Sequence, residues 1–193
     1  MRMVMAAAAT AVLALLAGCT GGLAGNAPSQ AAARPDAALQ TAIAGPQRTP
    51  TNVERDGWRK PAAALAFWGV RPGATVLEIS PGGGYWTEIL APYLKATGGR
   101  YLATAADLAN PELSQASRDA RGRFEARWAD KAVWGDVTLV NFGPRSAPLG
   151  PDNSVDVVFT ARNVHNFMAN NFWDKVLKDA FAVLKPGGVL GIE

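Results

Sequence analysis

The chain has 193 residues, of which 49% are hydrophobic and 18% are charged. This length and composition indicate a chain that folds into one domain of ordinary size and does not stay disordered. The net charge of +3 comes from 19 basic and 16 acidic residues with no block of lysine or arginine, which gives nucleic-acid binding little support. One cysteine and one histidine exclude a disulfide within the chain, a cysteine-based metal site and a histidine-rich metal site.

Residues 1–18 have the features of an export signal. Arg2 supplies a positive charge, and an apolar stretch shorter than a membrane-spanning helix follows it. The sequence Leu-Ala-Gly-Cys at residues 16–19 resembles the lipobox of bacterial lipoproteins, which implies cleavage before Cys19 and lipidation of its sulfur. We therefore expect a lipid anchor on the periplasmic side of a bacterial cell envelope, at the outer membrane because Thr20 follows and not aspartate. The alternative is an ordinary signal peptide with a chance cysteine.

Residues 19–51 are interpreted as a lipidated flexible tether, because they are rich in Ala, Gly, Pro, Ser and Gln. Residues 35–40 could start a short helix within it. The pattern changes at about Asn52, where charged and amphipathic residues begin. We therefore expect the folded domain to comprise residues 52–193.

Short apolar runs alternate with helical patterns along this domain. After a charged amphipathic segment, we expect a helix that starts at Pro61. The predicted strands comprise residues 74–79, 100–104, 136–142, 154–160 and 189–192. The further predicted helices comprise residues 86–95, 111–128 and 170–184. We expect Asn110 to cap the helix at residues 111–128, and the Lys-Pro-Gly-Gly turn at residues 185–188 to end the last one.

This alternation predicts an α/β fold. The strands are continuous apolar runs, which is typical of a parallel sheet covered on both faces. Handedness rules then give a doubly wound sheet, with any ligand at the carboxyl ends of the strands near the switch point.

The most informative segment joins the first strand to the next helix. It reads VLEISPGGG over residues 76–84, an apolar run that contains Glu78 and ends in three glycines. Gly82, Gly83 and Gly84 allow a sharp turn and the close approach of a ligand. The free N–H groups of the following helix suit an anionic group, so the loop is a candidate binding site.

Ser80 stands where nucleotide-binding turns often carry their first glycine. Together with Tyr85 it breaks the G-x-G-x-x-G spacing of a dinucleotide site. Pro81 favours an extended conformation for the residue before it, so we expect Ser80 to have a negative φ at the end of the strand.

These segments together resemble class I S-adenosylmethionine (SAM) dependent methyltransferases. Three stretches carry the resemblance, in the order of that family: VLEISPGGG at 76–84, DNSVDVVF at 152–159 and VLKPGGVL at 183–190. The resemblance implies a Rossmann-like, doubly wound, mostly parallel sheet whose last two strands are missing from this chain. It also implies SAM as the cofactor and a small molecule as the methyl acceptor. Residues 81–94 and 161–167 look like those of exported bacterial predicted methyltransferases.

The resemblance also assigns roles around the glycine loop. The loop from Ser80 through Gly82, Gly83 and Gly84 would take the methionine carboxylate of SAM, and Glu78 would lie near the cofactor's amino-acid end. The alternative is that Glu78 caps a local network of N–H groups and the glycines only make a turn.

Two polar residues further along are candidates for the adenosine end. The family binds the ribose with an acid at the end of the second strand; here that position falls near Ala105, and Asp107 is the nearest acid. Asn141, in the third strand, could accept a hydrogen bond from the adenine amino group, or it could be a turn residue.

Asn163 and His165 follow the fourth strand, where the family places residues near the methyl group and the acceptor. His165 is a candidate general base, and a packing or hydrogen-bonding histidine is the alternative. Asn163 could bind the ligand or cap the next helix.

The export signal supports a second class of function. SAM is made in the cytoplasm, so an exported chain could keep a methyltransferase fold as a non-catalytic binding or structural lipoprotein. A third interpretation is a cytoplasmic enzyme whose N-terminus is not cleaved.

Overall fold

The computed structural model describes residues 36–193. The predicted signal peptide at residues 1–18, the lipidation site Cys19 and the first part of the predicted tether lie outside the described residues. Among the helices of the described part, none is both long enough and apolar enough to cross a membrane.

Strands and helices alternate along residues 36–193. The strands are β1 (Thr75–Glu78), β2 (Arg100–Ala106), β3 (Val137–Phe142), β4 (Val155–Thr160) and β5 (Leu184–Ile192). The helices are α1 (Ala37–Ile43), α2 (Pro50–Val53), α3 (Asp56–Arg59), α4 (Pro61–Phe67), α5 (Thr87–Thr97), α6 (Gln115–Arg127), α7 (Lys131–Trp134), α8 (Val164–Ala169) and α9 (Trp173–Val183).

The five strands form one parallel sheet in the order β3-β2-β1-β4-β5. β1 lies at its centre, with Leu77 opposite Leu102 of β2 and Val158 of β4. The chain moves outward from β1 to β3 and then returns to β4, so the strand order reverses between β1 and β4. This confirms the predicted Rossmann-like α/β fold and places a ligand crevice at the carboxyl ends of these two strands. The expectation that the last two strands of the methyltransferase fold are missing from this chain stays a prediction.

Both faces of the sheet are buried. Val76 of β1 packs in one core cluster with Ile89 of α5, and its neighbour Leu77 packs in a second cluster with Val176 of α9. Successive side chains of a strand point to opposite faces, so a strand covered on both faces is apolar throughout. This is why the strands could be found from apolar runs alone.

The folded domain begins before the predicted boundary at residue 52. Asp36 caps α1 by accepting hydrogen bonds from two N–H groups of its first turn, at 3.0 and 3.1 Å. The same carboxylate accepts a hydrogen bond from the Tyr93 hydroxyl of α5. Leu39 and Ala42 are buried in the core cluster that contains α5. Residues 36–51 are therefore part of the domain, and the expected short helix is its first element.

The polar helix between β2 and β3 begins later than predicted. α6 starts at Gln115, with Ser114 as its cap, and the Ser114 hydroxyl accepts from the N–H of Ser117 at 3.2 Å. The side chain of Asn110 instead accepts from the N–H of Glu112, which makes a local turn. Asn and Ser both suit caps, so composition could not choose between the two positions.

The last helix also differs from the prediction. α9 begins at Trp173 and not at residue 170, because Asn171 has a φ of 55° that interrupts the helical backbone. The predicted turn at residues 185–188 lies inside β5, which starts directly after α9. A register shift against β4 accommodates Gly187, whose φ is 80°.

We predict that Leu39→Ala lowers the free energy of unfolding by about 2–4 kcal/mol, because it removes a buried side chain from the α1–α5 contact. Gln40→Ala, at the exposed next residue, should change it by less than about 0.5 kcal/mol. Urea denaturation of the full chain measures both values. Equal stability of the two variants would show that α1 is not part of the cooperative domain.

Candidate functional site

The loop that follows β1 turns sharply at Ser80. Ser80 has a φ of 57°, in the left-handed region, so the predicted negative φ is wrong. Its N–H donates to Thr104 Oγ1 of β2 at 2.8 Å, and its carbonyl accepts from Asn163 Nδ2 at 3.0 Å. These two contacts offset the roughly 1–2 kcal/mol that a left-handed conformation costs a non-glycine residue. Tertiary hydrogen bonds therefore override the local preference set by the following proline.

The three glycines of the loop have different surroundings. A Cβ on Gly84 would lie 2.4 Å from the ring of Trp128, so this position needs glycine for packing as well as for its φ of 79°. A Cβ on Gly82 or Gly83 would meet no atom within 4 Å. The part of the loop with room for a ligand is therefore Gly82 and Gly83.

Arg127 of α6 clamps the glycine loop, and the sequence pattern did not predict it. Its guanidinium donates to the Gly83 carbonyl at 2.9 Å and to Glu88 Oε1 at 2.6 Å. Glu88 is buried in the first turn of α5 and also accepts from the N–H of Thr49 at 3.1 Å. The loop, α5 and the N-terminal segment are thus joined by one buried carboxylate.

Glu78, the last residue of β1, is buried beneath the loop. Its carboxyl group accepts a hydrogen bond from the Tyr101 hydroxyl at 2.5 Å, and that hydroxyl is also 2.9 Å from Thr87 Oγ1. Burial raises the pKa of Glu78 from its ordinary value of 4.5 to about 8, although Tyr101, Arg59 and Thr87 act in the opposite direction. Burial therefore favours the neutral form of Glu78.

Two cavities adjoin this loop, and Ser80, Pro81 and Gly82 line both of them. The smaller one has a volume of about 320 Å³, and its walls include Arg55, Arg59, Glu78, Trp86, Arg162 and His165. The larger one has a volume of about 500 Å³, and its walls include Thr104, Arg121, Phe124, Phe142, Phe167 and Phe172. The smaller cavity is charged, whereas aromatic side chains dominate the larger one.

The structure brings most of the predicted site residues together. The smaller cavity is lined by Glu78, Ser80, Gly82, Gly83, Asn163 and His165. Asp107 and Asn141 lie apart from them and line a neighbouring cavity of about 630 Å³. Gly84 lines none of these three cavities.

Arg121 lies at the end of β2, beside Asn141, which was predicted to bind the adenosine end of SAM. Its guanidinium donates to the Ala106 carbonyl at 2.8 Å and to Asn141 Oδ1 at 3.0 Å, and it pairs with Glu125 at 2.6 Å. Asn141 Oδ1 therefore already accepts one hydrogen bond from the protein. The carboxylate of Asp107 accepts from the N–H of Ala109 at 3.0 Å, and Asp107 lines neither of the two cavities beside the loop.

Asn163 connects the end of β4 to the loop. Its amide donates to the carbonyls of Ser80 and Ala161, and it makes no side-chain capping bond to α8. His165, in the first turn of α8, is exposed and makes no side-chain hydrogen bond to any residue from 36 to 193. Asn163 thus shapes the loop, and the His165 imidazole is accessible from the smaller cavity.

The fold and this site define an α/β protein with a ligand crevice at the switch point of a parallel sheet. The methyltransferase domain family matches residues 76–188, which is more than half of the chain. The chain therefore belongs to the methyltransferase domain family.

Two curated proteins and one solved structure are similar to this chain. The ubiquinone/menaquinone biosynthesis C-methyltransferases of Hydrogenovibrio crunogenus and Ectopseudomonas mendocina are 33% and 34% identical, over 69% of this chain and 46% and 45% of theirs. The chain thus spans about half the length of these curated relatives. A solved structure of a SAM-dependent methyltransferase from Aquifex aeolicus aligns with a TM-score of 0.52 and 24% identity, over 75% of this chain and 66% of that one. That structural match supports the fold alone.

We predict that Ser80→Gly raises the free energy of unfolding by about 0.5–1 kcal/mol, because glycine adopts a positive φ without the steric cost. Ser80→Val should lower it by more than about 1 kcal/mol, since a β-branched residue is strained there. Ser80→Ala should stay within about 0.5 kcal/mol of the unchanged protein. Thermal unfolding compares the three, and a less stable glycine variant would contradict the strained turn.

We predict that Glu78→Gln changes how stability depends on pH. The pKa of Glu78 is higher in the folded chain than its ordinary value, so protonation favours folding, and its contribution is lost as the pH rises from about 4.5 to about 8. Glutamine can still accept from the Tyr101 hydroxyl but does not titrate. The variant should therefore gain at least about 1 kcal/mol over the unchanged protein between pH 5 and pH 8. Urea denaturation at both pH values is the measurement, and parallel pH profiles would contradict the buried, protonated carboxyl.

Proposed function

We propose that this chain binds SAM at the carboxyl ends of β1 and β4 and transfers its methyl group to a small-molecule acceptor. The observation that carries the proposal is the smaller cavity, which is lined by buried Glu78 and by the unobstructed backbone of Gly82 and Gly83. The chain that contains this cavity belongs to the methyltransferase domain family. The names of the two relatives, both C-methyltransferases, support the same reaction type.

The smaller cavity suits the amino-acid end of SAM. The open loop backbone leaves room for the methionine carboxylate, and the Arg59 guanidinium is close enough to lower the pKa of Glu78. Trp86 lines the cavity, and its buried indole N–H has no hydrogen-bond partner within residues 36–193. The methionine ammonium would supply the cation that favours the charged form of Glu78.

The larger cavity suits the adenosine end. It shares the lining residues Ser80, Pro81 and Gly82 with the smaller cavity, and its phenylalanine side chains can pack against a flat ring. Arg121 lines this cavity, whereas Asp107 does not. We therefore propose that Arg121, and not Asp107, makes the polar contact to the ribose.

Bound SAM supplies a methyl group on a sulfonium, which is already reactive towards a nucleophile. The protein therefore has to hold the acceptor in line with that methyl group and exclude other orientations. Asn163 fixes the loop against β4, and His165 at the smaller cavity is placed to take a proton from the acceptor.

Titration calorimetry of the full chain with SAM and with its demethylated product, S-adenosylhomocysteine (SAH), tests the proposal. We expect both to bind with a Kd below millimolar, and we expect Gly83→Asp to weaken SAH binding at least tenfold. The new side chain meets no protein atom, but its charge repels a carboxylate at the loop.

Gly122→Asp is the matched control, since it adds the same charge at an exposed glycine of α6 that lines neither cavity. It should leave SAH binding within twofold, and thermal unfolding should show that both variants fold. No binding of SAM or SAH below millimolar concentration would favour a non-catalytic module on this fold.

A further inference from the structure

The smaller cavity contains more positive charge than the cofactor can neutralise. Arg55 and Arg59 reach it from α2–α3, and Arg162 reaches it from the residues after β4. Glu78 lines the same cavity, and burial raises its pKa, which favours the neutral form. Three guanidinium groups thus surround a cavity of about 320 Å³.

The three arginines differ in their partners. Arg59 is paired with Glu193 at 3.4 Å, and its side chain is only 10% exposed. In the described part of the chain, no carboxylate lies within 4 Å of the guanidinium of Arg55 or of Arg162. The one side-chain hydrogen bond of Arg55 is to Asn52 Oδ1 at 3.3 Å. Arg55 and Arg162 are therefore available to an anion.

Tyr85 holds the N-terminal arginines in place. The guanidinium carbons of Arg55 and Arg59 lie 5.3 and 4.6 Å from the centre of its ring, and its hydroxyl donates to Asp56 at 2.6 Å. Asp56 itself forms a two-point ion pair with Arg48, so its charge is already compensated. Cation–π contacts can position a guanidinium without neutralising it.

Two further observations concern the charge and the backbone of this cluster. Burial is the largest cause of the lowered pKa of Arg59; Glu193 opposes it, and the charges of Arg55 and Arg162 add to the lowering. Arg162 has a φ of 62°, a conformation that persists in non-glycine residues mainly where the surroundings enforce it. Arginines of like charge and a residue with positive φ thus lie at one cavity, and strained residues cluster at active sites and ligand clamps.

We propose that Arg55 and Arg162 bind an anionic group of the methyl acceptor, a carboxylate or a phosphate, and that the acceptor is therefore a small anionic molecule. The inference rests on the proposed function. It assigns Arg59, beside Glu78, to the cofactor end, which leaves the two unpaired guanidinium groups for the acceptor. A guanidinium donates two parallel hydrogen bonds to a carboxylate or phosphate, so two arginines can fix its orientation.

The experiment uses the full chain saturated with SAH, titrated with inorganic phosphate at constant ionic strength at pH 7.5. We expect phosphate to bind with a millimolar Kd and equimolar chloride to give no signal. Arg162→Gln and Arg55→Gln should each weaken phosphate binding at least fivefold, and Arg162→Lys should retain part of it. Arg123→Gln, an exposed arginine of α6 outside both cavities, is the matched control and should bind phosphate normally.

The readouts separate this inference from the proposed function. SAH binding should stay within twofold in the Arg55 and Arg162 variants, and thermal unfolding confirms that they fold. If SAH binds and phosphate does not, or if the variants bind phosphate like the control, the inference is wrong while the proposed function stands. Displacement of SAH by phosphate would also overturn it, because the arginines would then bind the cofactor's carboxylate. Absence of SAH binding to the unchanged protein would reject the proposed function itself.

Discussion

Ser80 is held in a left-handed conformation by hydrogen bonds from both sides of β1, and the shape of the site follows from that turn. The Thr104 hydroxyl on β2 and the Asn163 amide after β4 fix its N–H and its carbonyl. The turn brings Gly82 and Gly83 to the crevice and places both cavities next to the same three residues. Because one partner lies on β2 and the other follows β4, the loop has this geometry only when both strands have paired with β1.

The second determinant of the site is a buried carboxyl group opposed to several guanidinium groups. Burial favours the neutral form of Glu78, while Arg55 and Arg162 line the wall of the same cavity. A cation near Glu78 and an anion near the arginines would each relieve part of this cost. The cavity is thus suited to ligand groups of opposite charges. Relief of the strain and of the charge repulsion present in the free protein would contribute to their binding free energy.

Much of the fold could be predicted because parallel strands are buried on both faces and therefore read as apolar runs. The boundaries were less accurate where several residues could make the same local structure: Ser114 caps α6 in place of Asn110, and Asn171 delays α9. The first helix was assigned to a tether because its small residues resemble a linker, whereas Leu39 packs it onto α5. Amino-acid composition indicates how a segment behaves in isolation, but it does not show which surface the segment packs against in the folded domain.

The sequence by itself determined the order of strands and helices, the glycine loop at Gly82 and Gly83, and the acid at Glu78, because each depends on residues close together in the chain. Only the tertiary structure decided the conformation of Ser80, the hydrogen bond from Arg127 to the Gly83 carbonyl, and the presence of Arg121 rather than Asp107 in the wall of the larger cavity. These contacts join residues that are far apart in the chain. The hydrogen bonds and charge interactions form only when β2, β4 and α6 pack against the loop. No local sequence pattern therefore predicts them.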